Sequence, residues 1–208
     1  MERKMRINKI LIIIAFIIFI LGIILISYDY IKLKINHTFE TVNLELYGNN
    51  SPKNINENTD EEKQKNSDNN YQVDYFGYIN IPKINLKQGL VPLNSKYNNV
   101  DMNIQTINPS DYPDVPGGNL ILAAHSGSSG ISYFKNLYQL TNNDEVDILY
   151  NNEKYIYTIV KIYTVPKNGE VAIYRDASKT VVTLVTCTKN DDTTQTVYIA
   201  ELIGKEGV

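Results

Sequence analysis

Hydrophobic and polar positions divide this chain into three stretches of different character. Residues 10–26 form an unbroken apolar run of 17 residues, at the short end of what a helix rising about 1.5 Å per residue needs to cross a bilayer. Lys9 and Tyr28 extend it at the two interfaces. A buried helix of a soluble domain would show a polar face, which this run lacks. Ser27-Tyr28-Asp29-Tyr30 offers no small-x-small cleavage site, so the run reads as an uncleaved signal anchor. Arg3, Lys4, Arg6 and Lys9 precede it, which keeps the N-terminus cytoplasmic and puts everything after the span outside the cell.

Polar residues then take over, and residues 49–70 are almost wholly Asn, Lys, Glu, Asp and Ser. Such a stretch has too little apolar surface to offset its ordering entropy, so it reads as a flexible spacer. The expected division is a basic cytoplasmic flank at 1–9, a transmembrane anchor at 10–28, a polar extracellular tether at 29–70 and a folded domain at 71–208.

The grammar of the last stretch is β. Tyr78-Ile79-Asn80-Ile81 alternates, residues 119–124 are a short apolar run, and residues 145–149, 155–163, 181–187 and 196–202 are rich in β-branched, aromatic and other apolar positions. Pro116-Gly117-Gly118, Asn142-Asn143-Asp144, Asn151-Asn152 and Lys167-Asn168-Gly169 are turn chemistry between them. Only residues 132–140 suggest a short helix. The pattern predicts a small closed or nearly closed antiparallel barrel.

Charge and composition narrow the functions. Lys and Arg number 20 against 23 Asp and Glu, a net charge of −3, which provides no cationic field for nucleic acid. One Cys and two His exclude an internal disulfide and a Cys-rich zinc site. Asp111, Asp114 and Glu170 are acidic loop residues of a kind that can bind calcium but is ordinarily just solvated, so no metal site and no cofactor is expected.

A lone Cys outside the cell is a buried core residue, an intermolecular crosslink or a nucleophile. Cys187 closes the strand pattern Thr183-Leu184-Val185-Thr186-Cys187 and opens into the polar turn Thr188-Lys189-Asn190-Asp191-Asp192, where substrate can reach it. His125, the one His of the folded domain, ends another apolar run before Ser126-Gly127-Ser128-Ser129-Gly130. An imidazole beside a thiol depresses the thiol pKa and can later protonate a leaving amine. If residues 181–187 pair antiparallel with 196–202 so that Cys187 faces position 195, Gln195 stands on the same face of the sheet, able to donate a hydrogen bond to an oxyanion. A one-residue slip would turn it away. Thr186 is a further candidate for a hydroxyl at the site, with a plain strand Thr as the alternative.

With these residues assembled, the domain resembles a sortase, the membrane-anchored cysteine transpeptidase of Gram-positive bacteria. The resemblance rests on Gly77-Tyr78-Ile79-Asn80-Ile81-Pro82-Lys83-Ile84, on Ala124-His125-Ser126-Gly127 and on Thr183-Leu184-Val185-Thr186-Cys187, the last being the most discriminating. It implies an all-β, eight-stranded barrel of sortase type with short helices, preceded by the N-terminal transmembrane helix. It also implies that Cys187 attacks a sorting signal of Leu-Pro-x-Thr-Gly kind to form a thioester, later resolved by an amine of a peptidoglycan precursor or a pilin. Val165, Val171, Ala172 and Ile173, in the connection before the nucleophile strand, are candidates to line a groove for the Leu-Pro end of the signal, or else simply cover the barrel.

The sequence departs from the family at one place. Sortases carry an Arg on the strand after the nucleophile, and Gln195 stands there; no Arg follows Cys187. Gln keeps a donor but loses the fixed charge and forked geometry. Two readings follow: a transpeptidase of class A-like or class D-like kind using a neutral oxyanion donor, or a weakened sortase-like module that binds or scaffolds sorting peptides. An L,D-transpeptidase also pairs Cys with His, but its Ser-His-Gly-Cys element is missing.

Overall fold

The computed structural model describes residue 14, residues 16–23 and residues 73–208. Residue contacts divide the chain into two compact units, Met1–Asn50 and Ser51–Val208. In the first, residues 16–23 are helical. No helix among the described residues is long and apolar enough to cross a membrane. Most of the expected anchor at 10–28, and all of the flank at 1–9 and the tether at 29–70, lie outside the described residues.

In the second unit eight strands form one sheet: β1 Gly77–Ile81, β2 Leu86–Leu90, β3 Gln105–Thr106, β4 Asn119–Ala123, β5 Glu145–Tyr150, β6 Glu153–Pro166, β7 Val181–Cys187 and β8 Thr194–Gly207. Their spatial order is β2-β1-β5-β6-β8-β7-β4-β3. The sheet curls into a nearly closed barrel, and side chains bridge its two edges: the hydroxyl of Thr106 on β3 donates to the carbonyl of Val91, just beyond β2, at 3.0 Å. The expected helix at 132–140 is reduced to a 3₁₀ turn, Leu137–Gln139, and a second such turn covers Pro82–Ile84. β2 and β3 carry no strong alternation and were not among the expected strands.

The expectation of an all-antiparallel barrel is corrected at one pair. β4 and β7 run parallel, from Asn119↔Val181 to Ala123↔Val185, while the other strand pairs are antiparallel. A parallel neighbour needs a long crossover, here the segment containing β5 and β6, and no local pattern announces it. The consequence is functional, because parallel strands bring their C-terminal ends to the same side.

β7 shows why its sequence is apolar at nearly every position: both faces are covered. Val182 and Leu184 join Leu120, Leu122, Tyr157, Ile159, Tyr198 and Ala200 in the barrel interior. Val181 and Val185 join Ile121, Val165, Val197 and Ile199 in a second apolar layer on the opposite face. Fully burying each such aliphatic side chain contributes about 1.5–3 kcal/mol, so the floor beneath the second layer is rigid.

A bulge decides which β6 residues reach that layer. Between Ile159↔Ala200 and Lys161↔Ile199 the register shifts, leaving Val160 as the extra residue. An inserted residue reverses the alternation beyond it. Before the bulge Tyr157 and Ile159 point into the barrel; after it Ile162 does, while Tyr163 and Val165 face the second layer.

Candidate functional site

Cys187 is the last residue of β7 and lies directly opposite Gln195 on β8, which in turn lies opposite Val165 on β6. Opposed residues share a face, so Cys187, Gln195 and Val165 form a row across three strands. The row sits at the open end of the second apolar layer. Cys187 is partly exposed, so a substrate can reach its thiol. The amide of Gln195 makes no hydrogen bond among the described residues, which leaves its N–H groups uncommitted.

His125 reaches this row through the parallel pair. Beyond the Ala123↔Val185 pairing, the Ala124 N–H donates to the Val185 carbonyl at 3.3 Å. His125 lies two residues beyond Ala123 and Cys187 two residues beyond Val185, so the two leave the last pair of the parallel ladder on the same side. The Phe134 N–H donates to the His125 carbonyl at 3.0 Å, fixing the backbone after the strand. The imidazole is 41% exposed, and its Nε2 lies 3.0 Å from Oδ1 of Asp101. No hydrogen bond joins Sγ of Cys187 to the ring in this structure; such contacts commonly tighten only when substrate binds.

Thr186 takes a different place from the one expected. It is one residue out of phase with Cys187, faces away from the row, and is 5% exposed. Its hydroxyl donates to the carbonyl of Ala124 at 2.8 Å. Thr186 therefore locks the backbone that precedes His125 instead of presenting a hydroxyl to substrate.

The turn after Cys187 is held by its own polar groups. Asn190 adopts the left-handed conformation with φ of 61°, which Asn tolerates well. The Asp191 carboxylate accepts from the Thr193 hydroxyl at 2.6 Å, the Thr193 N–H at 2.8 Å and the Thr194 hydroxyl at 2.7 Å. These bonds, the Thr193 hydroxyl first, hold the Asp191 carboxyl down to about 2. Lys189 of this turn lies with Nζ 3.3 Å from the centre of the Tyr138 ring. Its hydrogen bond lowers the pKa of the Tyr138 hydroxyl, and the contact ties this turn to the 3₁₀ turn.

The groove candidates separate. Val165 belongs to β6 and not to the connection, and it is buried in the second layer. In the connection, Val171 and Ile173 pack against that layer, whereas the Ala172 side chain points out and is exposed. Ala172 acts through its backbone: the Tyr163 hydroxyl donates to its carbonyl at 2.9 Å and accepts from the Tyr174 N–H at 2.8 Å. One hydroxyl thus pins the connection to β6. Further along the same face is an open pocket of ≈ 540 Å³ lined by Val160, Lys161, Ile173, Tyr174, Arg175, Asp176, Ile199 and Glu201. Arg175, the last Arg before Cys187, donates to the carbonyls of Gly117 at 3.0 Å and Lys179 at 3.2 Å, which ties the connection to the turn before β4.

Two participants had no signal in the sequence. Asp101 is one acidic residue among 23 and lies 24 positions from His125. Tyr163 reads as an ordinary strand aromatic. Among the described residues no group of three His, Cys, Asp or Glu side chains is placed to hold a metal ion.

Comparison with known proteins assigns the family. Residues 79–203 match the model of the sortase domain, more than half of the chain, and the chain belongs to the sortase family. A sortase A of Listeria monocytogenes has a similar structure, with 21% identity, a TM-score of 0.55, and coverage of 64% of this chain and 90% of that one. Sortase C1 of Streptococcus agalactiae is 27% identical, with a TM-score of 0.53 over 62% of this chain and 68% of its own. Sortase E1 of Streptomyces coelicolor, solved with a tripeptide in its active site, is 16% identical, with a TM-score of 0.54 over 64% and 90%. No curated protein matches the chain.

Proposed function

We propose that this protein is a cysteine transpeptidase that cleaves a Leu-Pro-x-Thr-Gly-like sorting signal and transfers the resulting acyl group to an amine of a peptidoglycan precursor or a pilin. The observation that carries the reading is the convergence at one end of the second apolar layer. Cys187 and Gln195 are paired across β7 and β8, and His125 follows two residues after the end of the neighbouring parallel strand, whose last residue Ala123 pairs with Val185, two residues before Cys187.

The reaction follows from those three side chains. His125 takes the thiol proton, and the Cys187 thiolate attacks the Thr carbonyl carbon of the signal. The carbonyl electron pair moves onto oxygen, where the Gln195 amide donates a hydrogen bond. Collapse breaks the C–N bond, the departing amine takes its proton from His125, and a thioester remains on Cys187. An acceptor amine then attacks the thioester, gives its proton to His125 and expels the thiolate. Val165 is closed off in the second apolar layer with Val185, Val197 and Ile199, so the Leu-Pro end of the signal meets the half-buried Val171 and Ile173 at the rim of that layer. Losing an oxyanion donor costs about 3 kcal/mol, roughly a hundredfold in rate, so a neutral Gln in place of the family Arg is compatible with turnover.

Topology belongs to the same proposal. The apolar run at 10–26 anchors the chain in the cell membrane with its N-terminus cytoplasmic, and the polar tether carries the catalytic domain outside, within reach of secreted substrates.

The test is ligation. The full-length chain is incubated with a library of Leu-Pro-x-Thr-Gly-like peptides and an amine acceptor, alongside Cys187→Ala and Gln195→Arg. Ligated product from wild type that vanishes in Cys187→Ala is the expected result. Peptide binding without product, with product appearing only in Gln195→Arg, would favour the second reading, a binding or scaffold module.

A further inference from the structure

The contact between His125 and Asp101 belongs to no part of the family's sequence signature found in this chain. Asp101 is 74% exposed, and a carboxylate on a mobile surface loop would hold an imidazole poorly, because fixing two free side chains costs entropy. This loop, between β2 and β3, is fixed by its own polar groups. The Asp101 N–H donates to the Asn99 side chain at 2.9 Å, and the Met102 and Asn103 N–H groups donate to the Asn99 carbonyl at 2.9 Å and 2.8 Å. The amide of buried Asn103 donates to the Tyr97 carbonyl at 3.1 Å, and the Tyr133 hydroxyl donates to the Met102 carbonyl at 3.3 Å. The carboxylate is therefore presented from a scaffold that is already ordered, the condition under which an outer partner orients a functional group.

We infer that Asp101 is a positioning residue for His125: it holds the ring through Nε2, which leaves Nδ1 as the nitrogen that exchanges the proton with the Cys187 thiol. A carboxylate acceptor selects the tautomer carrying its proton on Nε2. When Nδ1 takes the thiol proton, Asp101 faces the positive charge that forms on the ring. When Nδ1 gives that proton to the departing amine, the ring returns to the same tautomer. The inference rests on the transpeptidase reading for its kinetic consequence but not for its tautomer consequence.

The experiment compares full-length wild type, Asp101→Asn and Asp101→Glu. The chain has two His, so the long-range ¹H–¹⁵N spectrum contains two imidazoles, and His125→Gln identifies the relevant one. The expected result is an Nε2–H tautomer for His125 in wild type and Asp101→Glu and a mixed pattern in Asp101→Asn. Peptide ligation to hydroxylamine should show kcat lowered about tenfold in Asp101→Asn, with KM within twofold of wild type and partial rescue by Glu. Thermal midpoints should coincide, since the side chain is mostly in water. An unchanged tautomer and kcat in Asp101→Asn, a rise confined to KM, or a drop in midpoint that accounts for the lost rate would overturn the inference. If wild type itself ligates no peptide, the transpeptidase reading fails, and the tautomer comparison alone decides the role of Asp101.

Discussion

Replacing Thr186 with Val removes one hydroxyl while preserving the shape of the side chain, and it separates two roles that a Thr beside a nucleophile can play. The hydroxyl donates to the Ala124 carbonyl at 2.8 Å, and both residues are about 5% exposed. Its loss leaves a buried carbonyl without that donor, and water has no ready access to replace it. Net values for such a bond are about 0.5–1.5 kcal/mol, rising to about 1–3 kcal/mol when the remaining partner stays buried and unpaired. Val offers some compensation through its apolar methyl group and strand propensity, which places the expected cost at about 1–2 kcal/mol. For a domain of this size that is a fall in thermal midpoint of roughly 3–7 °C. Because the released carbonyl immediately precedes His125, the same change should lower kcat several-fold while KM moves little; Thr186→Ser, which keeps the hydroxyl, should recover most of the activity. Scanning calorimetry and steady-state ligation measure both. A Thr186→Val protein as stable and as fast as wild type would refute the argument, and so would a rise in KM with kcat untouched, since that would mean the side chain touches substrate.

Three shorter predictions address other parts of the molecule. Tyr163→Phe removes the hydroxyl that bridges the Ala172 carbonyl and the Tyr174 N–H; both partners can rehydrate, so the loss is about 1 kcal/mol, read as a fall in thermal midpoint of roughly 3 °C, with a raised KM and kcat nearly unchanged as the connection loosens. The hydroxyl of Tyr157 is buried without a partner among the described residues, so Tyr157→Phe should be neutral or stabilising by up to about 1 kcal/mol in denaturant melts, and a loss of that size would contradict the placement. The Asp191 carboxyl is held at about 2, below its ordinary 3.8, so its support for the β7–β8 turn is complete above pH ~4 and is lost as pH falls towards ~2; protection of the Thr193 amide from exchange, relative to an unstructured amide at the same pH, should fall across that window in wild type, and Asp191→Asn should remove that fall.

The elements that could be read from the sequence are those fixed by local pattern. β7 is an apolar run bounded by a turn, and the distance from Cys187 to the next apolar segment set the opposition of Cys187 and Gln195. Residues separated by topology were different. The parallel pairing of β4 with β7 depends on a crossover that no window of sequence contains, although it is what brings the strand ends that precede His125 and Cys187 side by side. The bulge at Val160 reverses the alternation of β6 and sends Val165 into the second layer, so a residue expected in a connection became part of a strand. β8 runs on to Gly207 because β6 supplies partners there, although Gly204, Lys205 and Glu206 carry no strand signal of their own. In the connection, alternation turns Val171 and Ile173 inward and Ala172 outward, a phase that sequence could not fix without knowing which residue first meets the sheet. Thr186 shows the limit most clearly: adjacency to Cys187 in sequence means the opposite face in a strand.

The central claim is that Cys187 is an acylating nucleophile assisted by His125 and Gln195. Intact-mass measurement of the full-length chain during reaction with a Leu-Pro-x-Thr-Gly-like peptide tests it directly. The account predicts an added mass equal to the peptide fragment ending at Thr, localised to Cys187, released by hydroxylamine and missing in Cys187→Ala. Peptide binding at saturation with no added mass on Cys187, in the wild-type chain, would contradict it.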